Sequence, residues 1–226
     1  MRLIAIEEHI LPQEVRDAWS AAPLPHDPVS AFADGGENGA RLADLGEGRL
    51  ALMDEQGVDV QVLSLTTPGL HNLAPGVAVE LAYRVNDRIA ETCARHPDRF
   101  QGFAALPTPD PEAAPRELER AVRDLGLKGA LLCGRTRDRH LDHSSFRPML
   151  AKAAELRVPL FIHPQTPLPA VRDANFPGST RAPTSRSPPS ALAGIMRRAC
   201  SGSAWRQLAC STNCPICRLF SATGGR

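Results

Sequence analysis

The sequence predicts an α/β fold in which strands and helices alternate around a parallel sheet. Short apolar runs, each long enough for one buried strand, alternate with longer segments whose apolar residues recur at helical spacing. Strand–helix–strand units with right-handed crossovers indicate either a (β/α)8 barrel or a doubly wound sheet. The predicted strands cover residues 2–6, 58–65, 100–106, 127–133 and 158–162. The predicted helices cover residues 47–56, 77–95, 111–125 and 146–156.

The pace of these units favours the barrel. Five strand–helix units fall within roughly 165 residues, and an eight-stranded barrel needs about 250 residues. A glycine-rich phosphate loop follows none of the predicted strands, so a nucleotide-binding sheet is disfavoured. We therefore predict a (β/α)8 barrel that stops after about five units.

Local signals justify the first elements in chain order. The first strand is the apolar run Leu3–Ile6. Residues 11–45 are rich in proline and contain a glycine pair, which predicts a loop with one short helix near 14–19. The next segment, 47–56, has its apolar residues on one helical face, and Gly57 supplies a stop signal.

The composition is that of an ordinary globular protein. The chain has 226 residues, 42% of them hydrophobic, and a formal net charge of +1, which gives no reason to expect a nucleic-acid partner. No apolar run is long enough to cross a membrane, and acidic residues interrupt the first apolar stretch as a signal peptide would not. We expect a cytoplasmic protein whose cysteines are not disulfide-bonded.

Three metal-capable side chains lie at the ends of two predicted strands. Glu7 and His9 directly follow the first apolar run, and because side chains alternate along a strand they point to one face. His163 ends the fifth predicted strand. The carboxyl ends of parallel strands meet at one edge of a barrel, so the pattern predicts a metal site there. Glu8 is expected to point away from it.

Each candidate residue has a structural alternative. Glu7 and His9 could cap the strand end or form a surface ion pair, and an isolated histidine such as His163 is more often a core residue with satisfied hydrogen bonds. His71 follows the turn after the second strand and is a candidate for substrate binding, with a surface-loop histidine as the alternative. Arg172, in the loop after the fifth strand, is a second candidate for substrate binding.

Five segments of the chain resemble one family in their order and spacing. They read IAIEEH, RLALMDEQGVDVQVLSLTTPG, NDRIAETCARHPDRFQGFAALP, GLKGALLCG and VPLFIHP. Together they are similar to the amidohydrolase-related decarboxylases, which include the 2,3-dihydroxybenzoate, γ-resorcylate and aminocarboxymuconate-semialdehyde decarboxylases. The resemblance covers roughly residues 1–177.

This resemblance implies a barrel of the metal-dependent hydrolase type with one divalent ion, zinc or manganese. Glu7, His9 and His163 match the metal ligands on the first and fifth strands of the family. The implied activity is removal of CO₂ from a hydroxybenzoate-like aromatic acid by a homodimer or homotetramer. The alternatives are metal-dependent hydrolysis of an amide or ester, and an inactive barrel fragment.

Later segments of the family are absent from this chain. The family has a His-x-Glu segment, a Gly-His-Trp-Gly-Glu segment and a late metal-binding aspartate, and none of them appears after residue 163. We therefore assign no catalytic residue within this chain. We also expect the metal to be held weakly, since zinc usually has three protein ligands plus a water or substrate.

Residues 178–226 differ abruptly in composition from the preceding part. Residues 179–226 contain seven arginines and no lysine, aspartate or glutamate, whereas the rest of the chain is acidic. If the last base of each codon is read with the first two of the next, permitted codons for residues 219–225 give Ile-Leu-Gly-His-Trp-Gly, and those for 194–199 give His-His-Glu-Ala-Gly. We therefore predict that the tail is a disordered frameshift product. The alternative is an ordinary low-complexity tail.

The tail also contains the pair Cys214 and Cys217, whose spacing is compatible with a zinc ribbon or a redox motif. A second cysteine pair at ribbon spacing and a strand–helix–strand context are both missing from the sequence around it. We interpret the pair as an accident of the shifted reading frame.

Overall fold

The computed structural model describes residues 2–23, 27–33, 36–168, 170–171 and 219–221. At least one helix separates β1 from β2, β2 from β3, β4 from β5 and β7 from β8. The helices are α1 (Gln13–Ala21), α2 (Pro28–Ala33), α3 (Gly36–Ala43), α4 (Glu47–Gln56), α5 (Pro75–Arg95), α6 (Ala113–Arg123) and α7 (Arg147–Leu156). The strands are β1 (Ile4–Ile10), β2 (Val60–Leu65), β3 (Phe100–Gly102), β4 (Ala104–Ala105), β5 (Ala130–Cys133), β6 (Arg135–Thr136), β7 (Arg139–His140), β8 (Leu160–His163) and β9 (Leu219–Ser221).

The main strands are all parallel to one another. One sheet has the order β1-β2-β3 and a second has the order β4-β5-β8-β9. Only Phe103 separates β3 from β4; its amide donates to the carbonyl of Leu63, and the amide of Ala104 donates to the carbonyl of Gly129. The segment of β3 and β4 therefore leaves one neighbouring strand and joins the next. The short pair β6 and β7 is antiparallel.

Local sequence explains where the principal helices begin and end. Gly57 ends α4 in the left-handed conformation with φ of 68°, which glycine adopts without steric cost. Pro75 occupies the first turn of α5, where its missing N–H leaves no hydrogen bond unmade. A side chain at Gly102 would collide with Ile89, so the absence of a Cβ lets α5 pack directly against β3.

The sheet carries a line of buried side chains on one face. Val62, Phe103, Leu131 and Phe161 form a separate apolar cluster, in which the rings of Phe103 and Phe161 stack with centroids 6.0 Å apart. The residues two positions further along these strands lie on the same face, one layer closer to the carboxyl ends. They are Ser64, Ala105, Cys133 and His163, and all four are buried.

The prediction of an α/β fold with a parallel sheet is confirmed. The segment 47–56 forms a helix as predicted, and each predicted strand overlaps an observed strand. The short helix predicted near 14–19 is present as α1, but the interpretation of the rest of residues 11–45 as a loop was wrong, because α2 and α3 lie within it. Among the described residues, no helix is long and apolar enough to span a membrane.

Candidate metal centre

Two parallel strands bring the three predicted ligands together at their carboxyl ends. Glu7 and His9 lie near the end of β1, and His163 is the last residue of β8. In the register of the sheet, His9 is beside Ser64 of β2, and His163 is beside Cys133 of β5. Because neighbours in register point to the same face, His9 and His163 reach that face of the sheet from two different strands.

A bulge in β1 determines which face His9 occupies. The pairing moves from Ala5 beside Gln61 to Glu8 beside Leu63, so β1 contains one residue more than β2 at this point. An extra residue reverses the alternation of side chains beyond it. Without the bulge, His9 would point to the opposite face.

The three side chains converge on a single point. The distance from Glu7 Oε1 to His163 Nε2 is 3.2 Å, and the distance from Glu7 Oε1 to His9 Nε2 is 3.8 Å. The two imidazole rings meet edge to face with centroids 5.0 Å apart. One ligand atom from each residue lies within 4.8 Å of the other two, and the described residues contain no second group of this kind.

Hydrogen bonds to the far side of each ring orient the nitrogens. His163 Nδ1 lies 2.6 Å from the carbonyl of Pro164, which only accepts, so Nδ1 carries the proton and a neutral ring presents its Nε2 lone pair. His9 Nδ1 lies 3.3 Å from Ser64 Oγ, and the hydroxyl can accept from it in the same way. Metal-binding histidines are commonly fixed by such hydrogen bonds at the other ring nitrogen.

The carboxylate at the centre is strongly acidic. The pKa of Glu7 is lowered to about 2, first by the hydrogen bond that it accepts when His163 Nε2 carries a proton and then by the same interaction with His9, against an opposing effect of burial. Glu7 is therefore ionised at neutral pH. A carboxylate that faces two imidazole nitrogens requires either a proton on a ring or a cation between the three groups, so this donor set suits a divalent ion.

Glu8 is not part of the cluster, in agreement with the prediction that it points away from Glu7 and His9. Its carboxyl group is half-buried, and burial raises its pKa while the positive charge of Arg49 opposes the rise. The alternative that Glu7 and His9 form a simple surface ion pair does not describe the arrangement, since His163 lies closer to Glu7 than His9 does.

His71 is buried rather than placed on a surface loop. Only 3% of it is exposed, and its Nε2 accepts a hydrogen bond of 3.1 Å from the backbone N–H of Cys133. Burial lowers the pKa of His71 to about 4, with the Pro68 carbonyl opposing that effect, so the ring is neutral at pH 7. It lines a small apolar cavity together with Ala105, Leu131 and Cys133.

Two other predictions concern residues that the structure does not describe. Arg172 lies outside the described residues, as do Cys214 and Cys217.

The cavity at His71 lies on the same face of the sheet as His163, because Ala105 and Cys133, which line the cavity, belong to the same layer of side chains as His163.

Sequence reasoning missed three polar residues around the centre. Ser64 contacts the ring of His9, and Arg49 contacts the backbone carbonyl of His9. Gln165 lies two residues beyond His163 in the chain. The side-chain oxygen of Gln165 accepts from the N–H of Arg135, whereas its buried Nε2 has no hydrogen-bond partner among the described residues. A polar residue inside an apolar strand, such as Ser64 in VQVLSL, is the one signal that the sequence offers for them.

Comparison with known proteins connects this geometry to one family. A family model described as Amidohydrolase matches residues 8–199. The γ-resorcylate decarboxylase of Rhizobium radiobacter is 40% identical over 174 residues, which is 74% of this chain and 51% of the relative.

Solved structures give the same result. The 5-carboxyvanillate decarboxylase of Novosphingobium aromaticivorans, with bound manganese and 3-methoxy-4-hydroxy-5-nitrobenzoic acid, is 34% identical with a TM-score of 0.71, over 76% of this chain and 53% of that one. The dihydroxybenzoic acid decarboxylase of a Polaromonas species, with bound manganese and 2-nitroresorcinol, is 38% identical with a TM-score of 0.63, over 77% and 53%.

The chain spans about half the length of the curated γ-resorcylate decarboxylases it matches. The family model, in contrast, covers most of the 226 residues, and the matched range 8–199 contains His9 and His163. The chain belongs to the amidohydrolase family.

Proposed function

We propose that β1, β2, the segment of β3 and β4, β5 and β8 are the first five strands of a (β/α)8 barrel of the metal-dependent hydrolase type. The parallel order from β1 to β8, the helices between the strands and the layered inner face support this proposal. A doubly wound sheet would place ligands in a crevice where the strand order reverses, and the order β1-β2-β3 and β4-β5-β8 contains no such reversal.

Glu7, His9 and His163 would hold one divalent ion, zinc or manganese, in this proposal. The observation that carries it is the convergence of two Nε2 atoms and a carboxylate within 4.8 Å, with the histidine Nδ1 atoms turned to other partners. Imidazole suits zinc, and a carboxylate with imidazoles also suits manganese. Manganese is the ion in the two decarboxylase structures described above.

The reaction we propose for this site is the non-oxidative decarboxylation of a hydroxybenzoate-like aromatic acid. When bound, the ion would supply charge stabilisation and a fixed point for the carboxylate and phenolic oxygens of the substrate. In this chain, Glu7, His9 and His163 would set the position of that point. His71, a neutral ring beside the apolar cavity, would contact the aromatic part of the substrate, and Arg172 would approach its charged group.

Metal titration of the purified 226-residue chain tests the first part of the proposal. Manganese and zinc are titrated separately by calorimetry, with a Glu7→Gln variant as the matched control. Binding of one ion per chain that is lost in the control is the expected result. Heat signals that are equal in both proteins would contradict the metal site.

An activity assay with 2,6-dihydroxybenzoate tests the second part. Release of CO₂ without consumption of water supports decarboxylation, whereas turnover of an amide or ester supports the hydrolase alternative. Metal binding without either activity supports the inactive-fragment alternative. Assembly as a homodimer or homotetramer and a cytoplasmic location stay predictions, and light scattering of the same preparation tests the former.

We also propose that the basic tail arises from a shifted reading frame. Leu219–Ser221 pairs in parallel with β8, at the edge where a barrel would add its sixth strand. These residues begin the segment 219–225, whose shifted reading is Ile-Leu-Gly-His-Trp-Gly. Sequencing the coding DNA from codon 170 onwards tests this. A shifted frame that lacks those codons or is interrupted by stops would refute it.

A further inference from the structure

A buried arginine lies beneath the metal centre and is bound mainly to backbone atoms. Arg49 of α4 is 8% exposed, although arginine is rarely buried unless it is paired. Its guanidinium donates to the carbonyls of Asp44 (2.7 Å), Arg41 (3.1 Å) and His9 (2.8 Å), and to the side-chain oxygen of Gln61 (3.1 Å). All four acceptors are neutral oxygens, and the carboxyl groups of Glu8 and Asp44 act on the charge without a hydrogen bond to the guanidinium.

One of these acceptors belongs to a candidate metal ligand. Arg49 Nη2 binds the carbonyl of His9, and the next carbonyl, that of Ile10, accepts from the backbone N–H of Thr66. The ring of His9 is held separately by Ser64. The peptide that follows His9 is therefore held by Arg49 of α4, and the next peptide is held by the backbone that directly follows β2.

The position of this contact relative to the bulge gives it a specific consequence. The irregular pairing of β1 ends at Glu8, immediately before His9, so the regular ladder does not by itself fix the strand through the bulge. The other donors of the guanidinium bind Asp44, Arg41 and Gln61, so the group itself is held in place, and its hydrogen bond to the His9 carbonyl restrains that peptide from a rigid support. Rotation of that peptide would swing the imidazole of His9 away from Glu7 and His163.

We propose that Arg49 is a positioning residue of the metal centre, which holds the backbone of His9 so that Nε2 points at Glu7 and His163. This inference rests on the proposed metal site. Arg49 acts through the His9 carbonyl and needs no contact with the ion. It links the direction of one ligand to the packing of α4.

Two substitutions and one matched control separate positioning from general stability. Arg49→Met keeps the apolar stem and removes all donors, and Arg49→Lys keeps the charge but loses the planar fork. Arg99→Met is the control, because Arg99 also donates to backbone carbonyls of this sheet, those of Asp59 and Val58, at the opposite end of β2.

The expected result is a graded loss of metal affinity in the Arg49 variants alone. Calorimetry with manganese should show about 10- to 100-fold weaker binding for Arg49→Met, a smaller loss for Arg49→Lys and no loss for Arg99→Met. The absorption spectrum of bound cobalt(II), which reports coordination geometry, should change in the first variant. If Arg49→Met does not fold by circular dichroism, Arg49→Lys decides the question.

A metal-free measurement distinguishes failure of this inference from failure of the metal site. Ring ¹H–¹⁵N spectra of the histidines should show displaced or broadened signals for His9 in the Arg49 variants, with His71 unchanged as an internal reference. If the unmodified chain binds no ion, the metal proposal fails while these spectra still decide the role of Arg49. Wild-type His9 signals in both Arg49 variants, or wild-type metal affinity in Arg49→Lys together with unchanged His9 signals, would overturn the inference.

Discussion

Two clusters of charged and polar side chains among the described residues differ in whether each hydrogen-bond acceptor faces a donor. In the first, between α5, α6 and β4, Asn86 Nδ2 donates to Glu117 Oε1 at 2.6 Å and to the carbonyl of Ala105 at 3.0 Å. Arg120 donates to both oxygens of Glu117 and to Asp87 at 2.7 Å. Donors and acceptors alternate throughout this cluster.

In the candidate metal centre, hydrogen-bond acceptors are not matched by donors. Glu7 presents a carboxylate to the Nε2 atoms of His9 and His163, and the ring hydrogen of His163 points to Pro164. Acceptors face acceptors unless a proton or a cation enters. The difference teaches how to separate the two kinds of site, since a matched network stabilises the fold and an unmatched set of electron-pair donors binds a ligand.

Removal of a ligand should have the largest effect on this contrast. In His163→Ala the cluster loses one of its three candidate metal ligands. Manganese binding should therefore fall by more than about 100-fold, which exceeds the loss typical of residues that do not contact the metal. Calorimetry checks this, with His140→Ala as the control because His140 is an exposed histidine outside the cluster. Retention of wild-type affinity in His163→Ala would show that the cluster is not the binding site.

Disruption of the matched network should affect stability and leave metal binding unchanged. Glu117 is 1% exposed, and Glu117→Ala strands the amide of Asn86 and part of the charge of Arg120, which should cost about 3–5 kcal/mol. Urea unfolding measures it. The control is Glu119→Ala, whose partly exposed ion pairs with Arg123 and Lys152 are worth about 0–1 kcal/mol. Equal losses in the two variants would refute the distinction.

The sequence predicted the parts of this molecule that depend on local pattern. The helix at 47–56 and the strand ends that carry Glu7 and His163 follow from periodicity and from the residue that ends each run. Of the three helices before α4, only α1 was predicted, as the short helix near 14–19. The helices α2 and α3 were not predicted, because proline and glycine obscure their period and distant contacts hold them. The carbonyl of Leu42 in α3, for example, accepts a hydrogen bond from the N–H of Leu11.

The surroundings of the site were beyond sequence reasoning for a related reason. The contact of Ser64 with His9 exists only in the register that follows the β1 bulge, and no local signal marks that bulge. His71 is buried where its ring accepts a hydrogen bond from the N–H of Cys133, 62 residues away in the chain. Such pairings are properties of the assembled sheet.

The titration of the buried His71 should make the stability of the fold depend on pH. Its folded-state pKa of about 4 lies below the ordinary value of 6.5, so the stability from the neutral buried ring is fully present above pH 6.5. It is lost as the pH falls from 6.5 to about 4, at up to about 1.4 kcal/mol per unit, or about 3 kcal/mol in all.

The variant His71→Gln removes this titration and should flatten the dependence of unfolding free energy on pH in that interval. Urea unfolding at several pH values measures the slope, and His143→Gln, at an exposed histidine, is the control. A slope in His71→Gln as steep as in the parent chain would assign the acid sensitivity to other groups.

The smallest effect should come from the group that orients a ligand without being one. Ser64→Ala removes the hydroxyl at 3.3 Å from His9 Nδ1 and leaves the three donors of the cluster in place. Manganese affinity should fall by about 10-fold, the lower end for outer-shell partners, and little stability should be lost because alanine fits where serine did. Ser64→Thr, which keeps the hydroxyl, is the matched control. An unchanged affinity in Ser64→Ala would mean that the backbone of β1 alone directs His9, and the 3.3 Å contact would then be a consequence of the register and not a support of the site.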